Sequence, residues 1–153
     1  SIGLTEDVVI GSHDITMLCD KVLSKEICDY DMIVLPGGIP GATNLRDSDL
    51  LMDVIREMNA QGKYVCAMCA APIALERAGV LEGKTYTAYL GYDEKIKAGT
   101  FSEKEVVTDG NLVTSRGPAT AYTFAYELAG LLGGDVEAVK KRMLYDHAFK
   151  KEA

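Results

Sequence analysis

An apolar run at residues 63–72 that stops at Cys69 and continues as a helix is the feature that most constrains this chain. The run reads Lys-Tyr-Val-Cys-Ala-Met-Cys-Ala-Ala-Pro, and proline is favoured in the first turn of a helix because its missing N–H needs no partner there. The small residues Ala67 and Ala71 flank Cys69 two positions away, in the pattern of a tight turn that carries a nucleophile, with alanine in place of glycine. The pattern predicts a strand–turn–helix unit with Cys69 at its apex.

A thiol at this apex is interpreted as reactive. It lies beside the N-terminus of the next helix, where N–H groups and the helix dipole favour an anion over a neutral thiol. Two alternatives remain open from the residues: an inert buried cysteine, and a dithiol or zinc site formed with Cys66. Zinc is disfavoured because Cys19 and Cys28 are not closely spaced and no second cysteine or histidine pair exists. Cys66 falls inside the strand and is expected to face away from the helix terminus.

Composition excludes several classes of protein. The 153 residues suffice for one domain with a single core. A net charge of −7 argues against a nucleic-acid-binding face, which needs basic residues. No apolar run is long enough to span a membrane. Four cysteines in a chain of this size do not indicate a disulfide framework, so the expected location is the reducing cytoplasm.

Strands and helices are expected to alternate along the chain, because short apolar runs alternate with apolar residues at helical spacing. An Asp-Gly pair at residues 109–110 predicts an antiparallel hairpin. The sequence therefore predicts an α/β sandwich around a mostly parallel sheet, with the hairpin as an antiparallel addition. Strands are predicted at residues 7–10, 30–36, 63–68 and 84–88, and the two strands of the hairpin at 106–114. A short helix or helical loop is predicted at residues 14–25. Further helices are predicted from a cap at Asp47 or Ser48 to Gly62, at 72–78, at 91–98 and from Pro118 to Gly133. A last helix is predicted after a cap at Asp135, with Val136, Val139 and Met143 pointing inward.

Pro36-Gly37-Gly38 ends another predicted strand and forms a second distinctive loop. In open α/β sheets the chemistry lies outside the carboxyl ends of the strands, so this loop and the Cys69 turn are expected to face each other. The backbone N–H groups of Gly38 and Ala70 could then bind an oxyanion beside the Cys69 sulfur. A plain strand-exit turn is the alternative for the two glycines.

Three segments, residues 31–45, 67–72 and 114–118, resemble the signature segments of the DJ-1/ThiJ/PfpI superfamily, and the resemblance covers essentially the whole chain. It is closest to the branch that contains the human parkinsonism protein and bacterial ThiJ-type relatives. The resemblance implies one domain over residues 1–153 with a flavodoxin-like three-layer α/β sandwich, usually as a homodimer. It also implies that Cys69 matches an oxidation-prone cysteine and that Gly38 and Ala70 match the backbone donors beside it.

The chain departs from the family pattern at the turn itself. Ala71 replaces the glycine that usually follows the Cys-Ala pair, and Ala88 aligns with the histidine that many members place near the cysteine. The relatives that are proteases have a histidine directly after the nucleophile, where this chain has Ala70, so a protease is disfavoured. The resemblance also implies that the family's N-terminal strand–helix segment, with the acidic residue that hydrogen-bonds the thiol, would precede Ser1.

Other polar residues receive structural interpretations. His13 and His147 are expected to be solvated surface residues. Arg116, in the Ser-Arg-Gly-Pro segment, either adds positive potential to the site or binds backbone carbonyls, and the second role is favoured.

The resemblance implies a cofactor-free, cysteine-dependent enzyme of the glyoxalase or deglycase type, with Cys69 acting on methylglyoxal or on glycated thiols and amines. It needs no metal. The alternative is a redox-sensing stress protein or chaperone in which Cys69 is oxidised to sulfinate. A non-catalytic interaction module is the third possibility, and in that case replacing Cys69 would change nothing.

Overall fold

The structure, a computed structural model, describes residues 1–149. The strands are β1 (Ile2–Gly3), β2 (Val8–Ile10), β3 (Thr16–Leu18), β4 (Lys21–Val22), β5 (Met32–Leu35), β6 (Tyr64–Met68), β7 (Thr85–Tyr86), β8 (Thr100–Phe101), β9 (Val106–Asp109) and β10 (Leu112–Ser115). The helices are α1 (Gly41–Asp47), α2 (Asp49–Ala60), α3 (Pro72–Ala78), α4 (Ala121–Leu131), α5 (Val136–Arg142) and α6 (Tyr145–Phe149), with 3₁₀ turns at Lys25–Asp29 and Pro118–Thr120. No helix of residues 1–149 has the length and apolar character needed to cross a membrane.

A four-stranded sheet in the order β5-β6-β10-β9 forms the centre of the fold. The first three strands are parallel, and β9 runs antiparallel to β10. Asp109 and Leu112 are paired across a two-residue loop, in which Gly110 has a φ of 66° that favours glycine. The predicted mixed sheet with a hairpin is confirmed.

Helices cover both faces of this sheet. On one face, Leu51 and Ile55 of α2 and Leu75 of α3 pack with Val65 of β6 in the larger hydrophobic cluster. On the other face, residues of α4 form a smaller cluster with Cys66 of β6 and Val113 of β10. Neighbouring residues of a strand point to opposite faces, so β6 supplies Val65 to one layer and Cys66 to the other. The predicted α/β sandwich is confirmed.

Two helices begin and end where the sequence predicts. The Ser48 side chain caps α2 by accepting a hydrogen bond from the Leu51 N–H at 3.3 Å, and Gly62 follows the helix with a φ of 71°. Pro72 is the first residue of α3, and Gly79 ends it in the left-handed conformation with a φ of 78°. These local signals agree with the packing of both helices against the sheet.

The segment at residues 14–25 is not the predicted short helix or helical loop. It forms β3, which pairs with β2 in a hairpin, and β4, which pairs with β1. Ile15 and Leu18, whose spacing suggested a buried helical stripe, are exposed by 67% and 72%. The two strands are stabilised by partners elsewhere in the chain, which a local periodicity does not reveal.

Three further differences concern helices. Residues 91–98 form turns rather than a helix, and residues 41–47, which carried no helix prediction, form α1. The helix after Asp135 is present and capped by that side chain, which accepts a hydrogen bond from the Ala138 N–H at 3.0 Å. Its apolar residues were predicted to point inward, but Val139 and Met143 are exposed.

The carboxylate of Asp109 ties the β9–β10 hairpin to β7 and makes stability depend on pH. It accepts a hydrogen bond from the Thr85 N–H at 2.8 Å and lies 3.3 Å from the Lys84 Nζ, and these contacts lower its pKa. The stabilisation is complete above the unfolded-state pKa of about 4 and is lost as pH falls through the lower folded-state value. Asp109→Asn should therefore flatten the acid side of a plot of thermal midpoint against pH. If the acid side of this plot were the same in Asp109→Asn as in the wild type, Asp109 would not be the source of the pH dependence.

Candidate functional site

Cys69 follows β6 directly and has a strained backbone. Its φ of 60° lies in the left-handed region, where a residue other than glycine costs on the order of 1–3 kcal/mol. Two backbone hydrogen bonds hold this conformation. The Cys69 N–H donates to the Ser115 carbonyl at 2.9 Å, and the Tyr89 N–H donates to the Cys69 carbonyl at 2.9 Å. The ends of β6 and β10 and the loop after β7 therefore meet at this half-buried cysteine.

The loop after β5 packs directly against the same residue. A Cβ atom added at Gly37 would lie 2.5 Å from the Cys69 Cβ and 3.1 Å from its Sγ. No real side chain approaches so closely, and only glycine fits this position. The structure thus brings together the two loops that the sequence expected to face each other.

The two backbone donors assigned from the sequence are unused. Neither the Gly38 N–H nor the Ala70 N–H donates a hydrogen bond within residues 1–149. Gly38 has a φ of 87° and directly follows the glycine that contacts Cys69, while Ala70 directly follows Cys69 itself. Both amides therefore lack an acceptor in the described part of the chain, and their role as oxyanion donors remains a prediction.

The start of α3 differs from the sequence interpretation, in which unpaired N–H groups of this helix favoured the thiolate. Pro72 has no N–H. The Ile73 N–H donates to the Ala70 carbonyl at 3.4 Å, and the Ala74 N–H donates to the Ala71 carbonyl at 2.9 Å. The N–H groups of the first turn are therefore hydrogen-bonded within that turn. The amides without an acceptor, those of Gly38 and Ala70, lie before the helix rather than in it.

Cys66 and Cys69 belong to opposite layers of the fold. Cys66 is fully buried beside Val113 and Phe124, and burial raises the pKa of its thiol to about 12. Cys69 is half-buried and packs against the cluster on the other face of the sheet. This arrangement agrees with the expectation that Cys66 faces away from the helix terminus, and it disfavours a dithiol pair. Within residues 1–149 there is no group of three or more His, Cys, Asp or Glu side chains that could hold a metal ion.

Two contact residues of Cys69 were missed by the sequence reasoning. Ser115 and Tyr89 act through backbone atoms, which no side-chain pattern reveals. A Cβ at Gly117 would lie 3.3 Å from the Tyr89 ring, so this ring lies over the Ser-Arg-Gly-Pro turn. Ala88, which aligns with the family histidine, is fully buried and adjoins Tyr89. That alignment could have indicated that the segment carrying Tyr89 lies beside Cys69.

The remaining candidate polar residues have surface or structural surroundings. Arg116 donates from Nη1 to the Glu103 carbonyl at 3.2 Å, and its guanidinium lies 5.8 Å from the centre of the Phe101 ring. These contacts favour its structural interpretation. His13 and His147 are both exposed, as expected.

Comparisons with known proteins agree with this geometry. Residues 1–130 match the DJ-1/PfpI family. The chain is 39% identical over 143 residues to Protein dj-1beta of Drosophila melanogaster, covering 90% of this chain and 76% of that protein. It is 36% identical over 128 residues to Deglycase PfpI of Pyrococcus furiosus, covering 82% of this chain and 76% of the relative.

Solved structures give the same result. The crystal structure of Drosophila melanogaster DJ-1beta superposes with a TM-score of 0.88 at 38% identity, covering 94% of this chain and 80% of that one. Oxidized Toxoplasma gondii DJ-1 has a TM-score of 0.84 at 32% identity, covering 91% and 78%. The chain spans only 65% of the length of Drosophila melanogaster Protein DJ-1alpha and 63% of the Danio rerio Parkinson disease protein 7 homolog. The fold, the cysteine turn and these matches together establish that the chain belongs to the DJ-1/PfpI family.

Proposed function

We propose that this protein is a cysteine-dependent, cofactor-free enzyme of the glyoxalase or deglycase type, acting on methylglyoxal or on glycated thiols and amines. The observation that carries the proposal is the positive φ of Cys69, held between Gly37, Tyr89 and Ser115. Strained residues of this kind cluster at functional sites. Similarity to Deglycase PfpI supports the same reaction class.

The proposed reaction starts with attack of the Cys69 Sγ on the aldehyde carbon of methylglyoxal. The new C–S bond displaces the carbonyl electron pair onto oxygen, where the N–H groups of Gly38 and Ala70 would stabilise it. Protonation gives a hemithioacetal. Transfer of its C–H hydrogen to the neighbouring ketone carbon, with rearrangement of the oxygens' protons, gives a lactoyl thioester. Water hydrolyses this thioester to lactate and releases the thiol, so the net change is addition of one water.

The chain's two histidines do not serve this reaction, because both are on the surface. Proton movements are therefore assigned to water and to the substrate's own oxygens. We expect this arrangement to limit turnover relative to a site with a general base, since such groups contribute typically about 10²–10⁴-fold.

Replacing Cys69 tests the enzyme directly. Cys69→Ser should lower lactate formation from methylglyoxal by at least about 1,000-fold, because the covalent intermediate cannot form at a useful rate. Cys19→Ser is the matched control and should retain the wild-type rate. Turnover that survives in Cys69→Ser would rule out the mechanism.

A redox-sensing stress protein or chaperone is the second candidate. The half-buried Cys69 thiol supports it, as does similarity to a structure described as oxidized Toxoplasma gondii DJ-1. Mild peroxide should add two oxygen atoms to Cys69, the level of a sulfinate. Cys66 should stay unmodified, because a pKa of about 12 leaves almost no thiolate at neutral pH. Peptide mass spectrometry locates the oxygen, and preferential oxidation of another cysteine would contradict this role.

We further propose that the protein acts in the cytoplasm as a homodimer. Support for association comes from the β2–β3 hairpin, whose six residues are all exposed and include Ile10, Met17 and Leu18. Apolar surface of this extent on a small protein commonly marks an interface. Its small-molecule partner would be an aldehyde or a glycated substrate at Cys69.

A further inference from the structure

The buried polar side chains of the fold adjoin the cysteine turn. Thr87, Thr114 and Ser115 are fully buried, and no other serine, threonine, asparagine, glutamine, histidine or charged residue within residues 1–149 is buried. Burying a hydroxyl group costs free energy unless the group makes hydrogen bonds. Ser115 follows Thr114 at the end of β10, and its carbonyl accepts the hydrogen bond from the Cys69 N–H. The buried hydroxyl groups therefore lie where they could hold the turn.

The Thr114 hydroxyl binds a neighbouring segment, residues 85–89. Its Oγ1 accepts a hydrogen bond from the Thr87 N–H at 2.9 Å. Two residues further along the segment, the Tyr89 N–H donates to the Cys69 carbonyl at 2.9 Å. Alternate residues of an extended chain direct their N–H groups to the same side. The bond at Thr87 therefore sets the position of the N–H at Tyr89.

Side chains, rather than a backbone ladder, join this segment to the β9–β10 hairpin in the described part of the chain. The backbone of β7 pairs with β8. Two side chains of the hairpin accept N–H groups of the segment, Asp109 that of Thr85 at 2.8 Å and Thr114 that of Thr87. Main-chain pairing with the hairpin therefore does not compensate for the loss of either acceptor, and the Thr114 bond is the one nearer to Tyr89 in sequence.

The Cys69 carbonyl and the Ala70 N–H belong to one peptide unit, and this N–H is one of the two proposed oxyanion donors. The peptide bond between them is trans. In a planar trans unit the C=O and N–H groups point in opposite directions. The hydrogen bond from Tyr89 fixes the direction of the carbonyl, so it also fixes the direction of the Ala70 N–H. A donor stabilises an oxyanion only when it is aimed at the position that the oxygen will occupy.

We propose that Thr114 is a positioning residue, which orients the Ala70 N–H toward the oxyanion that forms beside Cys69. It acts through the segment at residues 85–89, and its side chain does not need to touch the substrate. This inference rests on the proposed function, because the oxyanion arises when the thiol attacks an aldehyde. Two consecutive residues of β10 would then hold both sides of Cys69, Ser115 at its N–H and Thr114 indirectly at its carbonyl.

Thr114→Val tests the hydroxyl, because valine keeps the branched shape and leaves the buried Thr87 N–H without its acceptor. It should lower kcat for lactate formation from methylglyoxal by at least about tenfold and change KM by less than about threefold, since the donor acts mainly in the transition state. Thr114→Ser keeps the hydroxyl and should restore kcat to within about threefold of wild type. Alkylation of Cys69 by iodoacetamide forms no oxyanion and should stay within about threefold of wild type in both variants. An equal fall in alkylation would indicate general disruption of the site and overturn the proposal.

Thr87→Val is the matched control. The Thr87 Oγ1 has no hydrogen-bond partner within residues 1–149, and valine retains the N–H that binds Thr114. Replacing an unpaired buried hydroxyl with a methyl group should keep kcat within about threefold of wild type. A loss of kcat in Thr87→Val equal to that in Thr114→Val would assign the effect to packing and overturn the positioning role.

Hydrogen–deuterium exchange at Tyr89 distinguishes a failure of this inference from a failure of the proposed function. The Tyr89 amide should exchange at least about tenfold faster in Thr114→Val than in the wild type, and at the wild-type rate in Thr87→Val. Wild-type exchange or wild-type kcat in Thr114→Val would overturn the positioning role. If the wild-type protein forms no lactate, the proposed function fails, and the Tyr89 exchange rate alone then supports or overturns the link from Thr114 to the Cys69 carbonyl.

Discussion

Gly37→Ala is expected to remove most of the proposed lactate-forming activity and to destabilise the protein at the same time. The new Cβ would lie 2.5 Å from the Cys69 Cβ and 2.9 Å from the Met68 carbonyl oxygen. The Cys69 atom belongs to the turn after β6 and the Met68 oxygen to the last residue of that strand. Neither can move away without disturbing the strained turn and its hydrogen bonds to neighbouring loops. Overpacking of this kind costs typically about 1–3 kcal/mol. A displacement of about 1 Å at the nucleophile can lower turnover about 100-fold.

Gly41→Ala provides the matched control for this substitution. Gly41 lies only four residues further along the chain, at the start of α1, and a Cβ there meets nothing within 4 Å. It should retain wild-type activity and stability within about 1 kcal/mol, since alanine is the better helix former. Urea unfolding and the lactate assay measure both quantities. Wild-type behaviour of Gly37→Ala would mean that the close packing against Cys69 is dispensable.

Ile55→Ala is expected to cause the largest loss of stability. Ile55 is fully buried on α2 and belongs to the cluster that joins α2 and α3 to the sheet. Truncating such a side chain removes apolar contact and leaves a cavity, at a cost of about 2–5 kcal/mol. For a protein with a free energy of unfolding of about 5–15 kcal/mol this is a large fraction of the total. Urea unfolding monitored by circular dichroism measures the difference.

Leu50→Ala serves as the control, because Leu50 lies on the same helix and is 38% exposed. Its unfolding midpoint should change by less than half the shift of Ile55→Ala. Comparable losses in the two variants would contradict the assignment of the effect to burial, since alanine has the higher helix propensity in both and cannot cause a loss through propensity.

The elements that sequence predicts correctly are those whose local signals and packing agree. The run before Cys69 is a central strand, the Ser48 cap and Gly62 bound α2, and the Asp109–Gly110 pair forms its hairpin. Each signal specifies a backbone conformation that the neighbouring layers then bury. The structure of a segment can be predicted from its own residues where its local preference agrees with its tertiary packing.

The segments that sequence misses depend on distant partners or on weak propensity. Residues 14–25 have helical spacing, yet they are strands because β2 and β1 pair with them. The helix α1 begins Gly41-Ala-Thr-Asn, in which three of four residues are poor helix formers. It forms next to α3 and contributes the fully buried Ala42 to the main cluster, so packing outweighs intrinsic preference here.

At the candidate site, the sequence predicts which residues take part but not which atoms they contact. Cys69, Gly37 and Gly38 could be predicted because a nucleophile turn and a close approach of the backbone to its neighbour each require particular residue types. Tyr89 and Ser115 were not, because they contact Cys69 through backbone atoms that every residue possesses. Only the structure shows that the Gly38 and Ala70 amides have no hydrogen-bond acceptor among the described residues, because the sequence does not reveal which acceptors lie nearby.

The placement of Cys66 and Cys69 in different layers determines how an oxidised Cys69 could be repaired. A sulfenic acid at Cys69 cannot condense with Cys66, because the sheet separates a thiol packed against α4 from one that faces the other layer. The protein therefore lacks a resolving partner in the Cys-x-x-Cys segment, despite its spacing. For the proposed redox role, reduction of an oxidised Cys69 would therefore depend on a thiol outside this segment.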